Sequence, residues 1–135
     1  MNARANSFVL IYPEAWTPEN QEQVPDTIRY DQFVLQLFKA DTESGMLNHA
    51  ALGVAGEAGE LVDAIKKATI YGKLLDRENL IEELGDLRFY IQAVQNVCGI
   101  TESEVLQANA TKLSKRYRGL KYSDVAAISR ADKSS

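Results

Sequence analysis

The sequence predicts an all-α fold, and three observations carry that reading. All three prolines (Pro13, Pro18, Pro25) lie in the first 25 residues and the remaining 110 have none, whereas proline punctuates most loop-rich and β-rich chains. Apolar residues from Leu47 to Ala68 recur at i, i+3, i+4 and i+7, the spacing that keeps one stripe of a helix dry. An alternating strand pattern is confined to Phe8–Tyr12. With 135 residues, 45% of them hydrophobic and 25% charged, the chain has the size and composition of one globular domain.

The elements follow in order. Residues 1–25 mix a short apolar run with Trp16 and the prolines and read as an irregular arm laid over the core or over a partner subunit. Ile28, Phe33, Val34, Leu37 and Phe38 predict a first helix over 26–40, and Thr42–Gly45 reads as a turn. The second helix, 46–70, has the strongest periodicity, through Leu47, Ala50, Ala51, Val54, Ala58, Leu61, Ile65 and Ala68. Tyr71-Gly72-Lys73 ends it, and Asp76 is placed to cap a third helix whose face carries Leu80, Leu84, Leu87, Ile91 and Val94. Gly99 stops that helix. Thr101 with Glu104 forms a capping-box pattern that starts a fourth through Val105, Leu106, Leu113 and Tyr117. After Gly119 the chain turns small and polar. The division is therefore an arm at 1–25, a helical domain at 26–119 and a flexible tail at 120–135, with four main helices joined by short connections and packed antiparallel.

Composition narrows the chemistry. No apolar run approaches the roughly 20 residues of a membrane span, and the N-terminus lacks a signal pattern, so a cytoplasmic protein is expected. Cys98 is the only cysteine and His49 the only histidine; an internal disulfide, a multi-cysteine zinc site and a His-rich centre are excluded, and any metal must sit on oxygen. A net charge of −4 gives no support for a nucleic-acid polymer or an anionic membrane as partner.

Glu57 and Glu60, three residues apart on the second helix, project from one face, and Glu83 and Asp86 repeat the arrangement on the third. An antiparallel pairing of these helices brings the four carboxylates together. Such a cluster opposes folding unless a cation neutralises it, and hard oxygen donors without His or Cys favour Mg²⁺, with Mn²⁺ as substitute. Solvated helix faces also carry acids at this spacing, so one pair alone says little. Gly53, Gly56 and Gly59 sharpen the case, because each costs about 1 kcal/mol relative to Ala inside a helix. They serve either close helix approach or room for a bulky anion and its metal.

Gly56-Glu57-Ala58-Gly59-Glu60-Leu61 and Glu82-Glu83-Leu84-Gly85-Asp86-Leu87 resemble the paired E-x-x-E and E-x-x-D motifs of the MazG-type all-α nucleoside triphosphate pyrophosphohydrolases. The resemblance runs from His49 through Tyr71-Gly72-Lys73 to Asn109, Lys112 and Lys115-Arg116-Tyr117. It implies a MazG-like four-helix bundle in which Glu57, Glu60, Glu83 and Asp86 are the metal ligands and catalytic carboxylates. It also implies cleavage of a (deoxy)nucleoside triphosphate between its α- and β-phosphates, in nucleotide-pool clean-up, by a homo-oligomer, dimer or tetramer. Phe89 and Gly119 depart from the Trp and Pro common at neighbouring positions of that family.

The resemblance adds Asn109 to the substrate-binding candidates. On spacing alone, the cations from Lys112 to Arg118 read first as a solvated, dipole-favoured helix end; the resemblance turns Lys112 and Arg116, which are i, i+4, toward phosphate, with Lys115 on a different face. Lys73 is a further phosphate candidate or an exposed turn lysine. His49 reads as a packing residue or as a base or ribose contact, and Tyr90 as a core aromatic or a base-stacking ring. Two alternatives stand beside the main reading: a phosphoribosyl-ATP pyrophosphohydrolase, which shares the helical metal scaffold, and a non-enzymatic helical interaction module with an acidic face.

Overall fold

A computed structural model describes residues 9–10 and 27–133. Two-residue strands β1 (Val9–Leu10) and β2 (Thr27–Ile28) pair in parallel, Val9 opposite Thr27 and Leu10 opposite Ile28. The rest of the expected arm, Trp16 included, lies outside the described residues. The helices are α1 (Tyr30–Leu37), α2 (Glu43–Thr69), α3 (Arg77–Cys98), α4 (Glu102–Arg116) and α5 (Asp124–Ser129). Among the described residues no helix is long and apolar enough to cross a membrane.

The four helices that periodicity predicts are present, with three corrections. The first is shorter than 26–40, because Thr27 and Ile28 are held in the strand pair and the chain turns helical only at Tyr30. The second starts at Glu43 rather than 46: the Thr42 hydroxyl accepts from the Gly45 amide (3.1 Å), so the expected turn is the helix's own N-cap. The third concerns the segment read as a flexible tail, which carries α5, capped by the Ser123 hydroxyl accepting from the Ala126 amide (3.1 Å).

The chain divides into two units, one ending at Cys98 and the other beginning at Gly99. In the first unit α2 and α3 run antiparallel: Gly53 lies against Tyr90, and four residues on, Glu57 meets Asp86, four residues back. Val34, Ala50 and Ala93 are buried at the centre, with Tyr30, Phe33, Phe38, Phe89 and Val94 packed around them. The alanines bring the two backbones close. The Asn96 amide donates to the Asp31 carbonyl (2.9 Å) and accepts from Gln92 (2.9 Å), tying α1 to α3.

The turn between the motif helices follows its sequence. Gly72 takes φ +65°, letting the Lys73 amide fold back on the Lys67 carbonyl (3.1 Å). The Asp76 carboxylate then accepts from the Asn79 amide (3.1 Å) and caps α3. In the second unit the capping box is complete: Thr101 Oγ1 accepts from the Glu104 amide (3.1 Å) and Glu104 Oε2 from the Thr101 amide (2.7 Å).

Candidate metal and nucleotide site

The antiparallel register of α2 and α3 sets the acids face to face. One carboxylate oxygen each from Glu57, Glu83 and Asp86 lies within 4.8 Å of the others. Glu57 and Glu83 are half-buried and Asp86 is exposed. Glu60, exposed one turn further along α2, is not part of that group of three. Its charge still reaches Glu83: the Glu83 carboxyl is pushed up from the usual range, first by desolvation and then by the charges of Glu60, Glu57, Asp86 and Glu82. Three of the four expected carboxylates therefore converge directly and the fourth flanks them.

The donor set fits a small hard cation. In an octahedral Mg²⁺ shell adjacent oxygens stand about 2.9 Å apart and opposite ones about 4.2 Å, so the three oxygens would have to close in on one another to share one ion. A divalent charge would remove the repulsion that raises Glu83.

The three α2 glycines separate into two kinds. A Cβ at Gly53 would collide with the Tyr90 ring, while nothing lies within 4 Å of one at Gly56 or Gly59. Gly53 thus serves close packing, and the other two leave open space beside the acids. Tyr90 meets Phe89 edge-on (centroids 5.3 Å, 88°) and Phe38 in the same manner (6.4 Å, 81°). His49 is exposed and stacks on Phe38 at 4.7 Å, with the Tyr90 ring 6.0 Å away. Along α2, His49, Gly53 and Glu57 succeed one another at four-residue steps, so this aromatic group adjoins the carboxylates on one face.

The remaining candidates are scattered. Lys73 is exposed in the α2–α3 turn, and Lys66 and Lys67 bridge to Asp63 (3.8 and 3.0 Å). In the second unit Asn109 is exposed on α4, and Lys112 lines a groove on that helix. Lys115 lines the same groove; it stands three residues from Lys112, a spacing that shares a face, so the expectation that it lies on a different face is corrected. Arg116 is engaged within its own unit: Nε and Nη2 donate to the two Asp132 carboxylate oxygens at 2.5 and 3.0 Å. The Asp132 side chain is 1% exposed and its carboxyl is held down at about 2 by the Arg116 hydrogen bonds. Asp132 was not foreseen, because it lies sixteen positions along the chain from its partner.

Comparison with known proteins agrees with this geometry. Residues 47–120 match the MazG nucleotide pyrophosphohydrolase domain. The Gene 37 protein of Mycobacterium phage L5 is 33% identical over 76 residues, a match that covers 52% of this chain and 65% of the phage protein, so just under two thirds of that relative is spanned. No solved structure matches. The matched region contains both acidic motifs and the fourth helix, and more than half of the chain lies within it: this protein belongs to the MazG nucleotide pyrophosphohydrolase domain family.

Proposed function

We propose that the protein is a Mg²⁺-dependent pyrophosphohydrolase that converts a (deoxy)nucleoside triphosphate and water to the monophosphate and pyrophosphate. The observation that carries this reading is the convergence of Glu57, Glu83 and Asp86 within 4.8 Å in a chain of this family. Bound there, the metal would neutralise the triphosphate and lower the pKa of the attacking water. Glu57, Glu83 and Asp86 would hold it. Water attacks one of the two phosphorus atoms of the α–β anhydride, the bond from that phosphorus to the bridging oxygen breaks, and the monophosphate and pyrophosphate separate. Glu60, outside the three-oxygen group yet near enough to act on Glu83, is the carboxylate that takes the water's proton. Open space at Gly56 and Gly59 suits the anion, and the rings of His49 and Tyr90 suit the base.

The same reading includes self-association. Leu74, Leu120, Ile128, Val125 and Ile70 are between 70% and 97% exposed, and a dimer or tetramer could cover some of these side chains. Light scattering after size exclusion should give a multiple of 15.0 kDa; a single-subunit mass rejects the assembly.

A pyrophosphate-release panel over all ribo- and deoxynucleoside triphosphates, with Mg²⁺, with Mn²⁺ and with chelator, tests the activity. Release with the metals and none with chelator is expected. Silence across the panel refutes the reading.

A further inference from the structure

We propose that Asp63 and Lys67 set the divalent-ion affinity of the acidic site: Asp63 holds the Lys67 ammonium aside, and without that hold Lys67 settles on Glu60 and Glu83 and competes with a metal ion for them. The inference rests on the metal reading above and concerns the regulation of that site, with Asp63 as a positioning residue and Lys67 as the competing charge.

Helix geometry places Lys67 on the stripe of the acids. At about 100° per residue, Lys67 follows Glu60 by nearly two full turns and faces within about 20° of it, whereas Lys66 faces about 120° away. Side chains on a helix lean toward its N-terminus, so the long Lys67 arm extends back along α2 toward Glu60. The antiparallel register carries the stripe across to α3. Gly53 meets Tyr90 and Glu57 meets Asp86, so three residues further on Glu60 stands opposite Glu83. All of these residues belong to the first unit.

The charges agree with this placement. Lys67 Nζ lies 3.0 Å from Asp63 Oδ2, one turn back. The pKa of the ammonium is raised above its ordinary range, first by the hydrogen bond to Asp63 and further by the charges of Glu60 and Glu83. Lys66 is aimed elsewhere: its Nζ is 3.8 Å from Asp63 and stands 5.6 Å from the centre of the Tyr71 ring. The Lys67 and Asp63 side chains are 53% and 42% exposed, and an ion pair in water binds weakly, so the arm can change partner. A single positive charge about 8 Å from a divalent ion lowers the ion's affinity about threefold at low ionic strength. Contact with the acids themselves lowers it further.

Titration with Mn²⁺ alone, read by loss of the free-ion electron paramagnetic resonance signal in low salt, tests this on the full chain. Lys67→Met should bind Mn²⁺ about threefold more tightly than the wild type, and Lys66→Met should shift it less. Asp63→Asn should weaken binding about tenfold in the wild type but only about threefold in the Lys67→Met background, where its own lost charge is all that acts. In about 1 M salt, where the screening length is about 3 Å, the gain in Lys67→Met should shrink toward unity. Methionine matches lysine in helix propensity, so these variants keep α2. Equal losses from Asp63→Asn in both backgrounds, no gain in Lys67→Met, or an equal gain in Lys66→Met overturns the proposal. Failure of the wild type to bind Mn²⁺ overturns it together with the metal reading, whereas the expected affinities without pyrophosphate release from any nucleotide sink only the enzymatic reading.

Discussion

Replacing Gly53 by alanine probes the closest approach of α2 to α3. A Cβ there would stand under 3.0 Å from Cγ, Cδ1 and Cε1 of Tyr90, closer than real Cβ atoms come. Cγ stays in place when the ring turns about χ2, so clearing it takes a change of χ1 at Tyr90 or an outward shift of α3. Overpacking of this kind costs about 1–3 kcal/mol. Alanine also gains about 1 kcal/mol over glycine in a helix, which would blur the result taken alone. Gly56→Ala on the same helix has that gain and no collision, since nothing lies within 4 Å of its added Cβ. The propensity gain cancels between the two variants and the collision is left. With a urea m-value of about 2 kcal/mol/M, their midpoints should differ by about 0.5–1.5 M, Gly53→Ala being the lower. Circular dichroism in chelator measures both without metal stabilisation. If Gly53→Ala matches or exceeds Gly56→Ala, the two helices do not meet as described.

Glu83→Gln keeps volume and removes one ligand charge, so pyrophosphate release should nearly vanish while the helical spectrum persists and the Mg²⁺-induced rise in Tm is lost; retained turnover would take Glu83 out of the site. Asp132, with its carboxyl lowered from 3.8 to about 2 by Arg116, contributes stability that is full above about pH 4 and lost as pH falls through about 2. Amide NMR of residues 116–133 should therefore show local melting across that window in the wild type and, in Asp132→Asn, a segment already weakened with no such transition; identical profiles would remove the bridge. Thr42→Ala deletes the hydroxyl that accepts from Gly45 and should cost about 1 kcal/mol, read as a lower urea midpoint; an unchanged midpoint would mean that α2 does not depend on this cap.

What the residues disclose on their own is whatever a local rule governs. The cores of α2 and α3 were legible because periodicity acts within one element, and Gly72, Asp76 and the Thr101–Glu104 box because capping acts over three or four residues. Thr42 was legible in principle, since a threonine three residues ahead of Gly45 is a cap pattern, but the adjoining Ser44 and Gly45 suggested a turn. The α5 helix has only six residues and no long apolar stripe, and Ser123 was its one signal. Glu57 and Asp86 were foreseen as neighbours because both motifs repeat at the same spacing on antiparallel helices. The offset of Glu60 was not, because side-chain rotation decides which carboxylates point inward. The capture of Arg116 by Asp132 depends on a chain reversal that no local pattern encodes.

The placement of Glu57 within α2 has a consequence for how an ion is held. That helix spans 27 residues, about 40 Å at 1.5 Å per residue, and Glu57 stands near its midpoint, several turns from either end where fraying would loosen it. Its anchorage is as stiff as a helical backbone allows, with no loop to yield. Any cation held there would then be accommodated by swinging side chains about a fixed frame and not by moving the backbone.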